Sequence, residues 1–226
     1  MAILYSRRTF FSAAASLTAG CATQTFEGPV DSLRSSGTGL IVVSATHPSS
    51  ARSSLHSIFY MNAHGPGFAP LVDATQLSTT RHVLGVPIGS DFPSEEGRVH
   101  ILQVAAGRHS ITHWAIQGNG GFITPRIRPP TLWFEVNEAD VVYIGNLHME
   151  YIYGTNVFGQ RIIIGGVPEI RQRAEIDLAI AEKRAAGLSR KARQSLLPLG
   201  EWLSPSRDVN VSPFTPAPVP ASPAPR

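Results

Sequence analysis

Cysteine is nearly absent: the 226 residues contain one, Cys21. An intrachain disulfide is therefore impossible, and stability in an oxidising compartment has to come from the hydrophobic core alone. No serine sits in a Gly-x-Ser-x-Gly elbow and no Gly-x-x-x-x-Gly-Lys loop occurs, which removes the signatures of a hydrolase nucleophile and of a phosphate-cradling loop. No other cofactor motif is visible. Acid is missing from the amino terminus until Glu27, and helical periodicity is missing from everything before about residue 168.

The acid-free start carries Arg7 and Arg8, then an apolar, Ala- and Ser-rich run from Phe10 to about Ala19. That order is the charged and apolar sequence of a signal peptide, residues 1–20. A bilayer core takes roughly 20 apolar residues in helix, and this run has about half of them, so it is too short for a permanent span. Ser6-Arg7-Arg8-Thr9-Phe10-Phe11 resembles the twin-arginine export motif, which implies recognition by the machinery that translocates folded proteins. An ordinary Sec signal with two arginines is the alternative.

Leu17-Thr18-Ala19-Gly20-Cys21 resembles a lipobox. The resemblance implies cleavage between Gly20 and Cys21, a thioether-linked diacylglyceryl group on Cys21, and contact with the lipoprotein-processing machinery. A mature lipoprotein carries several acyl chains, and stable anchoring takes more than one. Ala22 follows instead of aspartate, which by the same resemblance implies an outer-membrane lipoprotein facing the periplasm. Cleavage before Thr23 would instead give a soluble periplasmic protein.

Removal of residues 1–20 leaves 17 of the 19 basic residues against 16 acidic ones. A mature chain so close to neutral gives no reason to expect a nucleic-acid partner. Residues 21–37, with Gly28-Pro29 and Ser35-Ser36-Gly37, read as a lipid-anchored tether. Residues 204–226, ending TPAPVPASPAPR, read as a disordered proline-rich tail.

Between them, short apolar runs of strand length alternate with Gly, Pro, Asn and Asp. Seven or eight such segments over residues 38–165 predict a mainly β fold, an antiparallel sandwich. Val99–Val104, the turn Ala105-Ala106-Gly107 and Arg108–Ile116 predict one hairpin, with Ile111 and His113 on one face and Ser110, Thr112 and Trp114 on the other. Leu132–Val136, the turn Asn137–Asp140 and Val141–Leu147 predict a second, and Phe158–Ile164 a further strand. Over 166–203, Pro168 in a first turn with Ile170, Ala174, Leu178, Ala181 and Ala185 at helical spacing predicts a helix ended by Gly187. Ser189 caps an expected second helix through Leu197, ended by Pro198, and both helices are expected to cover the sandwich.

The segments GRVHILQVAAGRHSITHW and FEVNEADVVYIGNL resemble paired strands of uncharacterised bacterial lipoproteins with a transthyretin-like or carboxypeptidase-regulatory-like sandwich. The likeness spans roughly residues 38–165 and implies a fold more than an activity.

Chemistry is sparse. His109 and His113 are the best metal candidates, but four residues apart on a strand puts them on one face about 13 Å apart, too far to share an ion. His64, in Asn62-Ala-His-Gly-Pro-Gly, is a loop residue within reach of a ligand. Glu95-Glu96 and the group Glu135, Glu138 and Asp140 lack the separation that paired acid–base work requires. Gly118-Asn-Gly-Gly121 lies between strands, without the helix a phosphate site needs. Arg171, Arg173, Lys183, Arg184, Arg190, Lys191 and Arg193 face Glu169, Glu175, Asp177 and Glu182, a pattern that suits helix-surface ion pairs or anionic headgroups. Two functions follow: a non-enzymatic envelope module with a protein partner, or an enzyme or small-ligand binder whose site is assembled from His64, His109 and Glu95.

Overall fold

The computed structural model describes residues 26–32, 37–49, 55–83 apart from 64–73, 86–118 and 121–203. The signal residues Arg7, Arg8, Phe10 and Gly20, the candidates Cys21 and His64, and the tail lie outside the described residues. The elements run β1 Thr38–Pro48, β2 His56–Ala63, β3 Thr75–Ser78, β4 Arg81–Val83, β5 Val86–Ile88, β6 Glu95–Ala105, β7 Gly107–Gly118, β8 Gly121–Ile123, β9 Leu132–Val136, β10 Val141–Thr155 and β11 Arg161–Arg171. Helices α1 Ala174–Glu182 and α2 Leu188–Lys191 follow, then β12 Ala192–Gln194 and β13 Gly200–Glu201. Among the described residues no helix is long and apolar enough to cross a membrane.

The fold is mainly β, two sheets packed face to face. The first has the order β13-β11-β10-β1-β6, with β12 also on β10; the second is β3-β2-β7-β8, with β9 also on β7. Pairing is antiparallel except that β1 and β12 lie parallel to β10. Side chains alternate across a strand, and β1 uses both faces. Ile41, Val43 and Ala45 enter the core between the sheets with Phe59, Met61, Trp114, Ile144 and Met149. Leu40 and Val42 enter a second core with Ile101, Tyr143, Ala181, Ala185 and Leu188, beneath the helices. Burial on both faces is why Leu40–Val43 is an unbroken apolar run, as in parallel sheets generally.

Both expected hairpins are instead arches between the sheets. β6 pairs with β1 and β7 with β2, so Ala105-Ala106-Gly107 carries the chain from one sheet to the other. Gly107 takes φ +141, and the Ala106 N–H donates to the Gly37 carbonyl at 2.8 Å. β9 pairs with β7 while the following β10 belongs to the first sheet. Here Ala139 takes the left-handed conformation, at φ 57. Two alternating segments around a small turn look the same in either arrangement, since the deciding hydrogen bonds go to strands distant in sequence. The consecutive strands that do pair with each other are β2–β3, β4–β5 (a small sheet of its own), β7–β8 and β10–β11.

The carboxy-terminal reading also shifts. Pro168 lies in β11 opposite Met149, and Ile170 is in the same strand, so the helix begins only at Ala174. The second helix is one turn, after which Ala192–Gln194 joins β10 as a strand. Trp202, buried at the close of the described chain, donates from its indole to the Pro130 carbonyl at 2.7 Å. Part of the expected tether belongs to the domain: Phe26 N–H bonds the Ile101 carbonyl, and Val30 is buried in the second core.

Gly97 of β6 lies close against the backbone of β1. A Cβ there would stand 2.6 Å from the Ala45 carbonyl oxygen and 3.0 Å from the Thr46 Cα, atoms that a rotamer change cannot move. Gly97→Ala is expected to destabilise the fold by about 2 kcal/mol through overpacking. Gly89→Ala, which meets nothing within 4 Å, should leave the thermal midpoint nearly unchanged.

Candidate functional site

The two histidines chosen from the sequence are separated by a bulge. Tyr60 pairs with His113 and Met61 with Ile111, leaving Thr112 as an extra residue in β7. The slip overturns the expected faces: Ile111 and Trp114, expected on opposite faces, enter the inter-sheet core together with Ile116. His109 is buried, stacked on Phe134 at 5.7 Å between ring centres, with Nε2 2.9 Å from the Ala105 carbonyl oxygen. His113 is only partly buried, and its ring lies 5.8 Å from that of Tyr60. Among the described residues no three His, Cys, Asp or Glu side chains gather as metal ligands would.

Glu95 opens β6 and His109 hydrogen-bonds the residue that closes it, so a strand of about 33 Å separates them. Glu95 instead receives Arg173 and, at 3.5 Å, Arg171, which also holds Glu169 at 2.7 Å. The basic cluster follows this pattern. Arg184 pairs with Asp91, Lys191 with Asp31, and Arg193 with Asp140 at 2.7 Å. These cations bind acids of the sandwich and the amino-terminal segment, not acids one helical turn away. They fasten the layers together; apart from the exposed Lys191–Asp31 pair, each contributes at most about 1 kcal/mol at a partly exposed site. Glu138 accepts from the Gly37 N–H at 3.1 Å, a turn-forming role.

A different constellation emerges on the helix-facing side of the first sheet. Asp177 of α1 is fully buried, and its Oδ2 accepts from the Ser44 hydroxyl at 2.5 Å and the Tyr143 hydroxyl at 2.7 Å. Asn146 donates to Ser44 Oγ at 2.7 Å and to Thr46 Oγ1 at 3.1 Å. Thr46 Oγ1 is 2.8 Å from His148 Nδ1, and His148 Nε2 is 3.4 Å from the exposed Glu150. A polar row thus runs from a buried carboxyl to the surface. Around the end of β1 a second group forms: His47 Nδ1 lies 2.9 Å from Thr79 Oγ1, and its ring lies 5.2 Å from that of Tyr151, whose hydroxyl meets Ser57 Oγ at 3.0 Å.

Thr46, His148 and Glu150 stand in the order hydroxyl, imidazole, carboxylate that activates a nucleophile. Thr46 has no exposed surface, however, and its hydroxyl is shared with Asn146, so a substrate carbon has no approach. The sequence reading missed this row. Its signal was Ser44 and Thr46, then Asn146 and His148, recurring every second residue within otherwise apolar strands. A shallow groove lined by α1 residues such as Glu175 and Leu178 with Ser189 and Gln194 includes none of the residues of this row.

Burial sets the charge states. It pushes His47 down to about 4, helped by the neighbouring His148 and His56. It pushes His100, bonded to the Ser78 carbonyl, down to about 4 as well, against that bond. Burial also raises the Asp177 carboxyl, opposed by the hydroxyls of Ser44 and Tyr143 and by Arg173. Its Oδ1 has no hydrogen-bond partner among the described residues. The chain matches no family model, no curated protein and no solved structure.

Both histidines titrate at about 6.5 when unfolded, so their contribution is complete above that pH and is lost as pH falls towards 4. Denaturant titrations should therefore show stability dropping by about 2 kcal/mol or more between pH 7 and pH 4.5. Asp177 acts oppositely, because a raised carboxyl loses stability as pH rises through its folded value. Asp177→Asn should be at least as stable as the parent at pH 7 and show a steeper loss in acid. Asp177→Ala, which strands two buried hydroxyls, should cost about 2 kcal/mol.

Proposed function

We propose that the protein is an exported, membrane-anchored lipoprotein of the cell envelope, whose sandwich is a non-enzymatic binding or structural module. The anchor is carried by the sole cysteine, which stands directly after Leu17-Thr18-Ala19-Gly20. The non-enzymatic reading is supported by one observation: among the described residues, the candidate groups Glu95, His109 and Asp177 are engaged in structural bonds. Glu95 is held by two arginines, His109 by the Ala105 carbonyl and the face of Phe134, and Asp177 by two hydroxyls. A protein partner in the envelope, reached from the membrane surface, suits a tethered sandwich of this kind.

Export and anchoring are tested separately. Mass spectrometry of the mature amino terminus should find Cys21 carrying acyl chains. A free terminus at Thr23 would leave a soluble periplasmic protein and remove the anchor. Replacing Arg7 and Arg8 by lysine should leave the precursor unexported, whereas undiminished export would assign the signal to the Sec route. Affinity capture from envelope extracts, with and without residues 204–226, should retain a reproducible partner; none in either form counts against a binding role.

A further inference from the structure

The β10–β11 hairpin outgrows its sheet. β1 pairs with β10 only as far as His148, and β13 meets β11 only at Glu169 and Ile170. From Met149 to Thr155 on β10, and back along β11 from Arg161 to Pro168, the two strands pair with each other alone. The arm is about 20 Å long. Its base is packed: Tyr151 is buried, and Tyr153 and Ile163 lie against the inter-sheet core. Its tip is not. Val157 is 85% exposed and Phe158 83%, the two most exposed large apolar side chains among the described residues.

The tip is held in shape. Asn156 Oδ1 accepts from the N–H groups of Phe158 at 3.0 Å and Gln160 at 2.9 Å, while its amide donates to Gln160 Oε1 at 3.1 Å. Gly159, at φ +74, closes the turn with an N–H bond to the Asn156 carbonyl. The loop therefore presents Val157 and Phe158 to solvent without help from any other element. Other exposed apolar residues, such as Phe122, Ile127 and Leu199, are not adjacent in sequence as Val157 and Phe158 are, and single ones need no explanation.

We infer that this arm is a membrane contact, seating Val157 and Phe158 in the boundary between headgroups and acyl chains of an anionic bilayer. Charge selects a bilayer as the occupant. The arm's one acid, Glu150, stands at its base beside His148; from Tyr151 to Pro168 there is no aspartate or glutamate, and the one charge is Arg161. Its guanidinium lies 3.6 Å from the centre of the Tyr153 ring, one turn behind the tip, with Ile162 40% exposed beside it. An apolar point, then a tyrosine and a cation, is the order in which a bilayer interface presents its layers. The contact is a property of the folded arm and does not depend on acylation of Cys21.

The test uses the full chain with Cys21→Ser, so that a cysteine placed elsewhere is the only thiol. Val157→Cys carries an environment-sensitive NBD label. Glu138→Cys, in the turn at the opposite end of β10 and about 45 Å away, carries the same label as reference. With vesicles containing one-third phosphatidylglycerol, emission at 157 should shift to the blue and brighten, with a weaker response to pure phosphatidylcholine and none at 138. In unlabelled chains, Phe158→Ser should reduce co-sedimentation with the anionic vesicles roughly tenfold, and Arg161→Gln should reduce it on those vesicles only. Unchanged emission at 157 with both vesicle types overturns the inference. So does an equal response at 138, which would mean adsorption through the leader. A response that grows with protein concentration without vesicles would assign the tip to a second copy of the chain, and would also overturn it. None of these outcomes bears on the anchor, which the mass of the natural amino terminus decides.

Discussion

Everything in this molecule is organised by the burial of β1 on both faces. Leu40, Ile41, Val42 and Val43 are all without solvent exposure, and they feed two cores alternately. Each such side chain contributes about 1.5–3 kcal/mol when removed from water, so neither face can be left open. One face is closed by the second sheet. The other needs α1, α2 and the amino-terminal segment through Val30, which is why a stretch resembling a linker is part of the domain. The same requirement places β10 parallel to β1, with β6 on its other side, so that the most apolar strand has hydrogen-bonding neighbours at both edges.

Further along β1 the helix-facing side turns polar while remaining buried. Ser44 and Thr46 follow Leu40 and Val42 on that face, and α1 answers with Asp177. A carboxyl in such a place is tolerated when hydroxyls supply its hydrogen bonds, as Ser44 and Tyr143 do. The arrangement fixes the helix by direction as well as by contact, because displacing α1 by one turn would leave the O–H donors of Ser44 and Tyr143 and the carboxyl of Asp177 unpaired. Asn146, bonded to both Ser44 and Thr46, ties β10 into the same register. The row is thus best understood as a registration device between layers, with Glu150 as its exposed end.

The β character, the strand segments and the presence of a covering helix were legible because alternation and helical spacing are local. Connectivity was not. A hairpin and an arch share the pattern strand, small turn, strand, and Ala106-Gly107 serves either. Bulges were equally hidden: one extra residue at Thr112 put Ile111 and Trp114, expected on opposite faces, on the same one, and no composition rule marks it. Pro168 misled because a proline before a helical pattern favours a first turn, whereas here it sits in β11 with only its carbonyl engaged, accepting from the Trp202 N–H at 2.8 Å. Of the candidate site, the histidines were visible as residue types, but their burial depends on which strands bracket them. Asp177 looked like an ordinary acid on a charged helix, and its isolation from water is a consequence of the tertiary packing alone.

The halves of β10 make a contrast that bears on function. From Val141 to Met149 every residue is buried, and the strand is the meeting point of both cores. Beyond it the same strand leaves the sheet and ends in a turn whose apolar residues pack on nothing. Removing Val157 and Phe158 would sacrifice no described contact in the fold, and keeping them in water reduces solubility. A two-stranded ribbon is also only marginally stable in water by itself; this one persists because its base is buried and Asn156 locks its end. Folding physics accounts for the first half of the strand completely. The second half has the features of a structure maintained for something outside the fold, and from Tyr151 to the tip its freedom from acid makes a negatively charged, apolar-cored surface the environment it suits best.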